Sequence, residues 1–358
     1  VPQLAPHVPD AAEALPTQSR QHAPHLANAQ YLAILLVVSG NLISGLRDTV
    51  PAAGAVYLFV NLFNMPLFII LAGYFSRNFS FAKGKARELI TKLALPYVLF
   101  EAAYSLLQWR MSGAGHLTIS LLDPTYLTWF LLALFAWRLS TPVWQQIRWP
   151  LAVAVVISLL SYTGPLSDQL DMHRIFGMTP FFVLGLCLTP EHLAYLRLTW
   201  VRIGGALVLA AGLAVAFLAK DHMNDRWLHW RTANADLGVN ELTGSAVHLG
   251  LLLAGAILAA AFLAVVPRRE TWFTAMGSVT IYAYLLHGFV VKVIQYKDLD
   301  TKSALQNLPG LLLLLVAGAA LATFLCSKPA VRTMNWAVEP NLGWAFTRLR
   351  RPGQAKQG

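Results

Sequence analysis

Five polar side chains stand inside otherwise apolar stretches of this chain: Asn41, Asn64, Glu101, Arg174 and His287. Between them they can move a proton, hold an anion and orient a polar group. An imidazole takes up or gives a proton near neutral pH, a guanidinium grips anions, and two amides orient a hydroxyl or a carbonyl. A strongly polar group at membrane depth is costly unless it is paired or wetted, so each position is a candidate for function. Each also has a structural reading. Asn41 and Asn64 serve equally as hydrogen-bond partners between helices, Glu101 and Arg174 as a buried ion pair, and His287 as a satisfied interior histidine. Of the five, His287 is the expected proton-transfer residue, since only an imidazole changes charge near neutral pH.

The elements that must position these residues follow from composition. The chain has 358 residues, 56% hydrophobic and 12% charged, against roughly a quarter charged in soluble domains. Runs of about 15–25 residues carry almost no charge and are long enough to cross a ~30 Å hydrocarbon core as helices. Ten spans are expected, at 30–46, 53–76, 88–109, 118–140, 149–163, 174–189, 200–219, 243–266, 272–293 and 306–326. The fold class is therefore an all-α integral membrane protein with about ten transmembrane helices and both termini on one side.

Charge gives the side. With the termini cytoplasmic, the inner segments hold 18 of the 27 Lys and Arg and six acids, a balance of +12, the outer segments hold nine against ten acids, a balance of −1, and Glu101 inside a span completes the total. This is the asymmetry that the positive-inside rule describes. The net +10 thus reads as topology and gives no reason to expect nucleic acid. Two cysteines, Cys187 and Cys326, exclude a disulfide scaffold or a cysteine-rich metal centre, and no metal is expected.

Three regions follow: a flexible cytoplasmic tail over 1–29, a membrane domain over 30–328 and a basic cytoplasmic tail over 329–358. Counting along the helices puts Asn41 roughly 16 Å beyond Gln30 and near mid-membrane, with Asn64 at a similar depth. Glu101 and His287 lie roughly 20 Å in, toward the outer half, and Arg174 opens the sixth span from outside. The five can therefore converge in one polar chamber. The outer segment from Lys220 to Glu241, with Trp227, His229 and Trp230, is long enough for a lid or an interfacial helix. On the inner side Arg77, Lys83, Lys85, Arg87 and Lys92 crowd one loop and the start of a helix, where they fix topology, meet anionic lipid or hold a phosphate-bearing acyl carrier. No internal repeat is evident, which speaks against a transporter built from inverted halves.

Five stretches resemble the acyltransferase 3 family of ten-helix membrane O-acyltransferases, and most closely its branch similar to fucose 4-O-acetylase. They are Tyr31-Leu-Ala-Ile-Leu-Leu-Val-Val-Ser-Gly-Asn41, Phe63-Asn-Met-Pro-Leu-Phe-Ile-Ile-Leu-Ala-Gly-Tyr-Phe-Ser76, Asp123-Pro-Thr-Tyr-Leu-Thr-Trp-Phe-Leu-Leu-Ala-Leu134, Arg174-Ile-Phe-Gly-Met-Thr-Pro-Phe-Phe-Val-Leu-Gly185 and Ile281-Tyr-Ala-Tyr-Leu-Leu-His-Gly-Phe289. The resemblance implies transfer of acetyl from cytoplasmic acetyl-CoA to a hydroxyl of an envelope sugar, glycan or lipid-linked acceptor, in a bacterial cytoplasmic membrane. It implies a histidine base, His287 here, with Asn41 and Asn64 orienting acceptor or thioester and Glu101 and Arg174 completing the catalytic set. Tyr126 and Trp129 are implied on the acceptor, and Gln30 with the Arg77 to Lys92 run on the carrier.

The chain departs from the family pattern at three places. Gln30 stands where the first helix usually has arginine or lysine, Asn41 where a histidine follows ten residues later, and Asn64 where the second helix usually reads His-Met-Pro. The Asp common three residues before the basic position is Ala27. An amide orients a hydroxyl but takes no proton near pH 7. Two readings follow: an acyltransferase with its base elsewhere, or a non-catalytic relative that binds or passes a lipid-linked or small polar molecule or acts as a partner subunit.

Overall fold

In lipid the backbone has no water to bond, so an apolar run must satisfy its own N–H and C=O groups, and an α-helix does so within one segment. A computed structural model describes residues 17–80, 85–113, 116–164, 166 and 169–340, with side chains except those of 17–23, 85 and 86. Among the described residues it is all helix, with no strand.

The main helices are α1 (Thr17–Leu42), α2 (Pro51–Ser76), α3 (Lys85–Leu89 running through a π-helical Ile90–Ala94 into Leu95–Ser112), α4 (Trp129–Trp144) and α5 (Pro150–Leu160). They are followed by α6 (Met172–Cys187), α7 (Thr199–Ala219), α8 (Glu241–Val265), α9 (Thr280–Tyr296), α10 (Leu308–Leu325) and α11 (Lys328–Val338). Among the described residues five helices, against the ten spans expected, are long and apolar enough to cross a membrane: α2, α3 over Arg87–Ser112, α7, α8 and α10.

Local signals set the boundaries. Pro51, Pro150 and Pro329 sit in the first turns of α2, α5 and α11, where a missing N–H costs nothing. Asn240 and Asn307 cap α8 and α10 by accepting from Thr243 N and Gly310 N, each at 2.8 Å. Gly113, at φ 69°, ends α3.

The expected boundaries need four corrections. The first helix begins at Thr17, so the proposed tail end at 29 falls inside it. His25 Nε2 meets Leu263 O at 2.8 Å and the Asn28 amide donates to Pro267 O and Arg269 O at 2.9 and 3.0 Å, which ties this end to the one after α8. Residues 118–128 of the expected 118–140 span are not helical, and α4 starts only at Trp129. The expected C-terminal tail from 329 begins as α11, which buries Ala337 and Val338; residues 341–358 lie outside the described ones. Finally, the first span, expected to run to 46, ends as an α-helix at Leu42, so Asn41 occupies its last turn.

The core that carries the site is the crossing of α2 and α6. A Cβ on Gly73 would meet Phe182 O and, at 3.1 Å, Gly185 Cα, and one on Gly185 would meet Ile70 O and, at 2.9 Å, Tyr74 N. Paired glycines let the two backbones touch, a packing common where helices associate in lipid. At 16 residues each, α4 and α6 reach only roughly 24 Å. Irregular backbone precedes both helices. Such backbone is tolerated near lipid only where protein or a cavity covers it.

Candidate functional site

A cavity of about 340 Å³ opens at the end of the bundle where the 220–240 segment lies. Its walls bring together Asn41 from α1, Tyr57, Asn61 and Asn64 from α2, Tyr126 and Trp129 before and at the start of α4, Arg174 from α6, Tyr284 from α9, and Leu228, His229 and Arg231 from the 220–240 segment. Asn41, Asn64, Arg174, Tyr126 and Trp129 were each legible as site residues, and the chain does gather them in one chamber. Tyr57, Asn61, Tyr284, His229 and Arg231 were missed.

Each wall is held from behind. The Asn64 amide donates to Ala33 O at 3.2 Å, while its Oδ1 is buried in the cavity wall with no protein partner. An acceptor atom so placed costs about 1–3 kcal/mol until something donates to it, and a ligand hydroxyl would do so. Asn41 Nδ2 lies 3.0 Å from His287 Nε2, and His287 Nδ1 lies 2.7 Å from Ala283 O. A carbonyl only accepts, so Nδ1 carries the proton, and Nε2 accepts from the Asn41 amide. His287 is fully buried, does not line the cavity, and has both nitrogens engaged. It thus holds Asn41 in place from behind.

Glu101 does not pair with Arg174. Its buried carboxylate accepts from Thr125 N at 2.9 Å, Thr128 Oγ1 at 2.5 Å and Ser105 Oγ at 3.4 Å. It therefore fastens the turn that presents Tyr126 and Trp129. The ion-pair partner of Arg174 is Asp171, three residues away: Arg174 Nη1 donates to Asp171 Oδ2 at 3.1 Å. Arg174 Nε donates to His229 O at 2.7 Å, and its guanidinium carbon lies 4.8 Å from the centre of the Trp129 ring. Arg231 Nε reaches the other oxygen of Asp171 at 2.7 Å. Asp171, with its side chain only 3% exposed, thus joins α6 to the 220–240 segment, and Arg47 joins the α1–α2 connection to Asp225 at 2.8 Å.

Four residues around this mouth, Tyr126, Leu170, Asp171 and Trp230, have φ between 51° and 63°. That backbone region is unfavourable for residues with a Cβ, and strain of this kind collects at functional sites. Burial first, and then the neighbouring Arg174, hold the His229 imidazole below its usual pKa range.

A second cavity, of about 220 Å³, opens at the opposite end and is walled by Gln30, Lys92, Arg138, Thr280, Tyr284 and Glu339 among others. Tyr284 lines both cavities; it is buried, and its hydroxyl donates to Leu127 O at 2.9 Å. Of the expected carrier-binding residues, Gln30 and Lys92 meet here. Arg77 is engaged elsewhere, donating to Tyr74 O at 3.1 Å and Leu188 O at 2.7 Å. Arg87 is not among the lining residues. Lys83 lies outside the described residues, as does the side chain of Lys85. Arg138, which donates to Ser76 Oγ at 3.3 Å, was missed, since a lone arginine at a helix end reads as a topology signal.

The family model described as an acyltransferase domain, that of the acyltransferase 3 family, matches residues 26–327, nearly the whole chain, and the chain belongs to that family. No curated protein and no solved structure matches it.

Proposed function

We propose that this member of the acyltransferase family works in a bacterial cytoplasmic membrane as an O-acetyltransferase. In this reading it moves acetyl from cytoplasmic acetyl-CoA to a hydroxyl of an envelope sugar, glycan or lipid-linked acceptor. The observation that carries the reading is the pair of cavities that share Tyr284 as a wall. One admits a donor from the basic end of the bundle; the other admits an acceptor from the opposite end.

The donor end fits an anionic carrier in charge: Lys92 and Arg138 offer ammonium and guanidinium donors against the one carboxylate of Glu339. Its volume suits a thioester arm, with the nucleotide at the surface beside the basic run. At the acceptor end the cavity wall has asparagine amides, tyrosine hydroxyls and the face of Trp129, a mixture suited to a polyol. Asn64 Oδ1 accepts one hydroxyl, and Asn41, steadied by His287, orients a second. The hydroxyl oxygen attacks the thioester carbon, the new C–O bond forms and the C–S bond breaks.

The test is acetyl-CoA turnover by the purified chain in lipid nanodiscs with a panel of methyl glycosides, read by mass spectrometry of the glycosides. An acetylated glycoside is the expected product; no product above the protein-free rate contradicts the reading. The presence of two amides where the family has histidines favours a second reading, a non-catalytic binding relative. Restoring Gln30→Arg, Asn41→His and Asn64→His together separates the two. Added acetylation indicates a weakened enzyme, and intact cellular function without acetylation indicates a binding protein.

A further inference from the structure

We propose that His229, in the segment between α7 and α8, is the general base of acyl transfer in this chain. The inference rests on the acyltransferase reading and names the group that replaces the family's histidines at 41 and 64. Among the residues lining the acceptor cavity, His229 is the single imidazole. His287, the other candidate, lies outside the lining, and its nitrogens are spent on Ala283 O and Asn41.

The position of His229 is built rather than loose. Its carbonyl accepts from Arg174 Nε at 2.7 Å and its N–H donates to Arg226 O at 3.3 Å. Its neighbours Leu228 and Trp230 are buried, and Trp230 holds a left-handed backbone at φ 55°. The segment is anchored at both flanks by the Arg47–Asp225 and Arg231–Asp171 pairs. The backbone so fixed holds His229 on the same cavity as Asn64, where one ligand would donate one hydroxyl to Asn64 Oδ1 and a neighbouring one to the imidazole.

Electrostatics keep that ring neutral, as a base must be. Burial and the cations Arg174, Arg47 and Arg231 disfavour the imidazolium, and Asp225 alone among the charged neighbours opposes them. In the reaction the hydroxyl proton passes to His229 as the C–O bond forms. The thiolate leaves toward the donor end and takes a proton there, and His229 discharges its proton at the mouth of the acceptor cavity. Acceptor hydroxyl and thioester thus become ester and thiol with no further reactant.

Two measurements on the full chain in nanodiscs test this. In the first, His229→Gln, which keeps size and a hydrogen-bonding group, lowers kcat for glycoside acetylation roughly 100- to 10,000-fold. The wild-type rate falls with acid only below the usual imidazole pKa of about 6.5. Turnover with His229→Gln at the wild-type rate overturns the assignment while leaving the acyltransferase reading intact. The second needs no turnover: diethyl pyrocarbonate, which modifies only neutral and accessible imidazoles, is applied between about pH 5 and 8 and the modified peptides are read by mass spectrometry. His229 is expected to react with a midpoint below the usual imidazole pKa of about 6.5, and His287 to stay protected. A His229 that fails to react, or a His287 that reacts first, overturns the proposal whether or not an acceptor has been found.

Discussion

The cavity at the 220–240 end takes much of its wall from connecting segments, whereas the one at the Gln30 end is walled mainly by side chains of packed helices. At the first, Asp171 joins two arginines, Glu101 fastens a turn, and four residues with left-handed backbone shape the mouth. At the second, Lys92 on the π-helical stretch of α3, Arg138 on α4 and Glu339 just past the end of α11 share the wall. Connecting segments vary freely on a fixed scaffold, so the first end is suited to choosing among acceptors. Cationic side chains gathered between packed helices suit a donor with a constant anionic part.

This contrast can be broken most severely from behind the acceptor cavity. Glu101→Ala leaves Thr125 N without its buried acceptor and Thr128 Oγ1 with only Thr125 O, and is expected to cost about 2 kcal/mol of stability. Transfer should fall roughly 100-fold as Tyr126 and Trp129 lose their register, with donor affinity unchanged. Thermal unfolding and acetylation rates check both. A donor affinity that falls as far as the rate would show that the two ends are not separable.

Asp171→Asn comes next. It strips two arginines of their shared carboxylate, one of them half-exposed, and is expected to cost about 2 kcal/mol. Limited proteolysis should then cut the 220–240 segment faster, with the α2–α6 crossing intact. Smallest is the donor end, where Lys92→Ala should raise the KM for acetyl-CoA about tenfold with kcat nearly unchanged, since it removes binding shared by ground and transition states. Gln30→Arg should lower that KM.

The two ends were unequally legible in the sequence. The charge-free apolar runs pointed to helices, which satisfy their backbone groups within one segment in lipid, and five helices among the described residues are long and apolar enough to cross. The expense of polarity in lipid flagged Asn41, Asn64 and Arg174, which do share a cavity. Glu101 was flagged for the same reason, but its partners lie in a turn 24–27 residues away that no periodicity announces. The Asp171 bridge to Arg231 joins two connecting segments, and their ion pairs depend on tertiary docking. His229 was visible only as one aromatic among others in a long outer segment. The start of the first helix was misplaced because its opening turns are polar and are tied down by His25 and Asn28 rather than marked by an apolar run.

The central claim is that acyl transfer takes place in the acceptor cavity, and blocking that cavity tests it most directly. Asn61 lines it and donates only to Tyr57 O in its own helix, at 2.8 Å, so Asn61→Trp fills the space without cutting a link between helices. With acetyl-labelled acetyl-CoA in nanodiscs, wild-type chain is expected to label a glycoside, and Asn61→Trp to lose at least roughly 100-fold of that rate while binding the donor normally. Equal labelling by the blocked and wild-type chains would contradict the account.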